Sequence, residues 1–117
     1  MSLDDPDDCP FEPDAPNHAH DVEMHIVFAR FPIGQLVATP AALQTLEDTG
    51  HVFTKFLARH VRADWGDLDE EDIRSNNEAL RHGGRLLSAY TLSDTERLWI
   101  ITEGNRSATT ILLPSDY

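Results

Sequence analysis

Three stretches, Arg85-Leu-Leu-Ser-Ala-Tyr-Thr-Leu92, Arg97-Leu-Trp-Ile-Ile-Thr-Glu103 and Ser107-Ala-Thr-Thr-Ile-Leu-Leu113, decide the fold. Their apolar residues are spaced for extended chain, and the residue types (Tyr90, Trp99, Ile100, Ile101, Thr109, Thr110, Ile111) fit a pleated, half-buried surface. Ser93-Asp-Thr-Glu96 and Gly104-Asn105 separate them. Glycine first in a two-residue loop suits a type II′ turn. The expectation is a three-stranded antiparallel meander. In that register Glu103 faces Arg106 as a cross-strand ion pair. Trp99, on the middle strand, is expected to be buried on the helix-covered face or in a partner interface.

Working back from Gly83-Gly84, the period becomes helical. Asp69 is placed to cap a helix that ends at His82, with Glu70, Glu71 and Asp72 in the first turn, where the dipole favours anions. Leu68 and Ile73 form a candidate hydrophobic staple. The thin apolar face of this helix (Ile73, Ala79, Leu80) puts it on the outside. A second helix is read from Val52 to Ala63, with Phe53, Phe56, Leu57, His60 and Val61 on one face. Ahead of it, Thr39-Pro40 is a helix start, with Thr at the N-cap and Pro at the first helical position, and Gly50 is the stop. Pro32 and Gly34 break the preceding apolar run into two extended pieces, Ile26–Arg30 and Gln35–Ala38. The fold class is therefore α+β: a short extended segment, three helices, then the meander with helices on one face.

Residues 1–23 differ in kind. They hold eight of the 21 acids, four prolines and no Lys or Arg, so they are expected to be a disordered acidic arm. Residues 24–117 are read as a single domain, and Met24 as a candidate natural start. The net charge of −12 is thus concentrated in the arm, leaving 13 acids against nine bases in the rest. Nucleic acid is disfavoured as a partner for the whole chain. Arginine supplies eight of the nine bases, as a GC-rich genome would give, with salt adaptation as the alternative reading. With one cysteine, Cys9, no internal disulfide forms, and with no apolar run near 20 residues no membrane partner is expected. No signal peptide is read at the start, and a cytoplasmic protein is the expectation.

Candidate chemistry is sparse. The cluster Glu103, Arg106, Ser107 and Thr109, with Tyr90 on a neighbouring strand and Tyr117 at the end, is the one group with the donors and acids that catalysis needs. Helices ahead of an antiparallel meander resemble RelE- and barnase-like ribonucleases, which display Glu, Arg, His and Tyr on the sheet. Small RNA-cleaving toxins tend to be basic, and this chain is not. Asp64-Trp65-Gly66-Asp67 offers an aromatic anchor for a protein partner, or a Trp folded back over the helices. His60, on an apolar helix face, reads as a satisfied core residue. His18, His20 and His25 with Cys9 match no zinc spacing, and no metal or cofactor is expected. There is no phosphate loop, dinucleotide fingerprint or nucleophile elbow.

Four stretches carry a family resemblance: residues 31–43 (FPIGQLVATPAAL), 57–68 (LARHVRADWGDL), 86–90 (LLSAY) and 98–117 (LWIITEGNRSATTILLPSDY). They are similar to short bacterial proteins carried on plasmids and integrative elements, labelled plasmid-related proteins or type I restriction subunit M. That family typically has an acidic residue where Asn105 stands. Adenine-methylating M subunits are far larger and contain a Rossmann-like cofactor domain, which 117 residues of this pattern cannot supply. The resemblance implies a mobile-element setting and no particular activity. The reading from sequence is a non-enzymatic accessory protein that binds another protein. The alternatives are a ribonuclease toxin and an anti-defence protein imitating nucleic-acid charge.

Overall fold

The computed structural model describes residues 29–117. The acidic arm, the histidines at 18, 20 and 25, and most of the first extended piece lie outside the described residues. The elements are β1 (Gln35–Ala38), α1 (Pro40–Asp48), α2 (Phe53–Val61), α3 (Glu70–His82), β2 (Leu86–Thr91), β3 (Arg97–Thr102) and β4 (Ala108–Leu112), with a closing 3-10 turn at Pro114–Asp116. None of these helices is long and apolar enough to cross a membrane.

The α+β class and the three helices are as expected, but the sheet has four strands and is mixed. Its order is β1-β4-β3-β2. The meander β2-β3-β4 is antiparallel, and β1 adds to β4 in parallel, Gln35 beside Ala108 and Ala38 beside Ile111. A meander alone would leave β4 with an open edge. Gln35 N–H and Thr39 N–H close it by donating to the carbonyls of Ser107 (3.0 Å) and Ile111 (2.9 Å). The three helices between β1 and β2 carry the chain back along the sheet, so that β2, and after the meander β4, run in the same direction as β1.

Helix starts follow local chemistry. Thr39 Oγ1 accepts from Ala42 N–H at 3.1 Å, and Asp69 Oδ1 accepts from Asp72 N–H at 2.8 Å. One sheet face takes Tyr90, Leu98, Ile100 and Ile111, covered by Ala42 and Leu46 of α1 and Phe56 of α2. A second cluster joins Phe31, Trp65 and Leu86, with Leu68, Ile73, Ala79 and Leu80 packed around it. Leu68 and Ile73, the candidate staple pair, both pack against this cluster.

Two expectations are corrected. Trp99 alternates with Leu98 and Ile100, so once those residues take the helix side it must face the other way. It is half-buried there, edge to face with Tyr117 at 5.7 Å. The last hairpin is also not a two-residue II′ turn. Glu103 N–H donates to Ala108 and Arg106 N–H to Glu103, so the loop takes Gly104–Ser107, and the left-handed residue is Arg106 (φ 62°), not Gly104.

Candidate interaction surface

The two edges of the sheet are built differently. On the β2 edge every outward backbone group of Leu87 and Ala89 is taken. Asn76 on α3 accepts from Leu87 N–H (3.1 Å) and donates to Leu87 C=O (2.7 Å). Ala89 N–H donates to Trp65 C=O (3.1 Å), and Asp67 N–H donates to Ala89 C=O (2.7 Å). Thr91 Oγ1 donates to Asp67 Oδ2 at 2.6 Å. Gly66 makes this approach feasible: at φ 80° a Cβ there would stand 2.0 Å from Ala89 O.

The β1 edge has no such cover. Its ladder to β4 turns the backbone groups of Gln35, Val37 and Thr39 inward, so those of Leu36 and Ala38 point outward. Among the described residues none bonds them. Leu36 (38% exposed) and Val37 (43%) lie on this strand, and Leu43 (47%) and Val52 (65%) stand beside it on the helix layer. Their positions follow from the helices. Ala42 and Leu46 take the inner face of α1, which leaves Leu43 turned outward, and Val52 precedes α2 after the turn at Gly50 (φ 77°).

Two recesses open here. One of about 220 Å³ is lined by Leu36, Val37, Ala38, Leu43, Phe53 and Ile111. A larger one, about 440 Å³, runs between Leu43, Leu46, Val52 and Phe53, with Glu47 and His51 at its polar side. His51 is fixed in place: its Nε2–H donates to Leu92 C=O at 3.0 Å, and Nδ1 accepts from Lys55 Nζ at 3.2 Å. Apolar walls with a few fixed polar groups, beside an unpaired strand edge, are what an extended partner segment needs.

The residues singled out from sequence are dispersed. Arg106 is held by backbone: Nη1 donates to the carbonyls of Gly84 (2.6 Å), Glu103 (3.1 Å) and Gly104 (3.2 Å), Nη2 to Ala79 (3.0 Å), and its guanidinium lies 5.7 Å from the Phe31 ring centre. It ties the hairpin to the last turn of α3. The expected ion pair with Glu103 is therefore not formed, because the left-handed turn aims Arg106 at α3. Glu103 sits instead 3.8 Å from Arg85, on the opposite face. Ser107 is exposed, and its N–H donates to Asn105 Oδ1. Thr109 is fully buried. Tyr90 is buried too, its hydroxyl donating to Asp64 C=O at 2.7 Å, and burial raises its pKa. Tyr117 is exposed on the far face, accepting from Arg85 at 2.6 Å.

Trp65 is folded back, 4% exposed, with Nε1–H donating to Asn77 Oδ1 and the ring packed on Phe31 and His60. Asp64 pairs with Arg59 at 2.8 Å, and this hydrogen bond lowers its pKa. Among the described residues no group of three His, Cys, Asp or Glu could hold a metal ion.

His60 is fully buried within a line of hydrogen bonds whose direction is fixed from one end. Ile33 C=O can only accept, so Thr109 Oγ1 donates to it (2.8 Å). Thr102 must then donate to Thr109 (2.7 Å) and His60 Nε2–H to Thr102 (2.9 Å), leaving Nδ1 to accept from Ser88 (2.6 Å). The ring is neutral. Desolvation first, and Arg106 second, lower its pKa to about 3. Nothing in this line faces a recess of the β1 side, and its work is to join α2 to three strands.

The exposed apolar group at β1 was missed in the sequence. Its signals were a strand without charge (Gln35–Ala38) and two apolar residues, Leu43 and Val52, that fall off the inner faces of their helices. No family model, curated protein or solved structure matches the chain.

Proposed function

We propose that the chain is a non-enzymatic protein-binding module that docks its partner on the β1 edge and the recesses beside it. One observation carries this reading. On the β2 edge the outward backbone groups of Leu87 and Ala89 are all covered, whereas the β1 edge presents unpaired backbone next to Leu36, Val37, Leu43 and Val52. Natural sheets blunt an edge that has no use, with charge, Pro or a bulge, and Gln35–Ala38 has none of these. An accessory role on a mobile element fits the family resemblance. The ribonuclease reading has less support, since Arg106 and Thr109 are committed to internal bonds and Glu103 lies on the other face.

The test is affinity co-purification from the native host with wild type and Leu43→Glu/Val52→Glu. Both positions are exposed, so thermal stability is expected to hold while a specific partner is lost. Retention of every partner by the variant would sink the reading. So would growth arrest with RNA cleavage on expression, abolished by Glu103→Gln, which leaves the core untouched. Arg106 is the wrong residue for that control, because removing its guanidinium takes a donor from four carbonyls and unties the hairpin from α3.

A further inference from the structure

We propose that the β1 edge pairs with the β1 edge of a second copy, making one eight-stranded sheet across a two-fold axis. This deepens the docking-surface reading above and rests on it. The register follows from which groups are free. Only Leu36 and Ala38 turn N–H and C=O outward, so an antiparallel copy satisfies all of them by setting Leu36 against Ala38 of the other copy, and the reverse. Four hydrogen bonds result, and Val37 meets its own counterpart on the axis as a close, non-hydrogen-bonded pair.

The side chains agree with this register. Leu36 and Ala38 share the helix-side face, since their neighbours Thr109 and Ile111 both point there. A large residue thus stands beside a small one at both pairs. The 220 Å³ recesses, lined by Leu36, Ala38, Leu43 and Phe53, are brought together across the axis. No ionisable side chain lines that recess, so two copies bring no like charges together there. The net charge of −12 opposes association, and screening at physiological salt limits that repulsion to charges within roughly 8 Å of one another. Closed two-fold pairing is the commonest arrangement of soluble oligomers. The 440 Å³ recess keeps its own walls on α1 and α2, so the dimer would present two of them to a partner with two matching segments.

The experiment places cysteine at Val37 in a Cys9→Ser background of the full chain, with Gln35→Cys as control. Residues on the axis have Cα atoms roughly 4.5 Å apart, within disulfide range, while position 35 meets position 39 of the other copy. Mild oxidation is expected to link Val37→Cys into a covalent dimer and to leave Gln35→Cys unlinked. Sedimentation equilibrium of wild type should give twice the chain mass, and Val37→Asp half of that, with a thermal midpoint that no longer depends on concentration and matches that of dilute wild type. A monomeric wild type overturns the proposal. Slow exchange of the Leu36 and Ala38 amides in that monomer would give the edge to another segment of the same chain. Fast exchange would leave it to a different protein, and the Leu43→Glu/Val52→Glu test would stand unaffected. Linking through Gln35→Cys, with none through Val37→Cys, would overturn the register.

Discussion

The half of the molecule around β2 and the half around β1 solve the same problem in opposite ways. Around β2, the outward backbone groups of Leu87 and Ala89 have partners, an asparagine side chain for the first and a loop for the second, and the Thr91 hydroxyl donates to an aspartate. Behind that edge lie Phe31, Trp65 and Leu86, and the hydrogen-bonded line through His60. Around β1, the strand is four residues long, two of its residues carry exposed apolar side chains, and two recesses stay open. An unpaired buried polar group costs far more than a made bond returns. The polar detail around β2 therefore closes that half, and the half around β1 is left able to accept a strand.

The largest expected effect comes from opening the closed edge. Gly66→Ala places a Cβ 2.0 Å from Ala89 O at a φ of 80°, so the loop must leave the strand. We expect a loss of roughly 3 kcal/mol in urea unfolding, from left-handed strain and lost bonds together. Asn76→Ala removes both partners of Leu87 and should cost about 2 kcal/mol. Values near zero for both would show that the cover of β2 is incidental, and the contrast between the halves would fail.

The contrast was partly legible in the sequence. Thr39 and Asp69 announce helix starts because a cap is a bond over three residues, and Leu68 with Ile73 is similarly local. The parallel place of Gln35–Ala38 is not local: its partners stand at 108–111, and a meander offers two open edges, β2 and β4, between which the local sequence does not choose. Arg106 misled for a related reason. Glycine at 104 suggested the tight turn, but the bonds from Arg106 to Ala79 and Gly84 of a distant helix end reward a longer loop. Asn76 and Asn77 carried no signal of their own on a helix whose thin apolar face placed it outside, and one holds a strand while the other holds Trp65.

An intermediate effect comes from His60 and acts on the closed half through pH. The folded pKa is about 3 against an ordinary 6.5, so between those values the unfolded chain binds a proton that the folded chain does not. Stability therefore falls as pH drops below 6.5, by about 1.4 kcal/mol per pH unit, or roughly 2 kcal/mol at pH 5. The carboxylates of Asp64 and Asp116 have lowered pKa values and contribute their loss only further down, near and below the ordinary carboxylate range. Denaturant midpoints from pH 7 to 5 should show this slope in wild type and a flatter one in His60→Gln. Amides of Leu87 and Ala89 should report it by hydrogen exchange. Equal slopes in the two proteins would mean that His60 is protonated without cost, and the direction assigned to its hydrogen bonds would be wrong.

The smallest expected effect lies at Val37, and its smallness separates the two halves most sharply. Val37 is 43% exposed, pairs with Thr110 and makes no side-chain hydrogen bond that a change could break. Val37→Thr keeps the branched shape that a strand prefers and adds a hydroxyl that water can solvate. In the monomer this should change stability by less than about 0.5 kcal/mol, the range of surface substitutions away from special features. The measurement must be made in Val37→Thr and wild type at several protein concentrations. If β1 pairs with a second copy, the thermal midpoint of wild type rises with concentration, because association stabilises only the folded chain. The variant should show the same dependence, weakened by the less apolar contact on the axis. A loss above 1 kcal/mol that is independent of concentration would mean that Val37 is packed within its own chain, and the open half would have to be redrawn as closed.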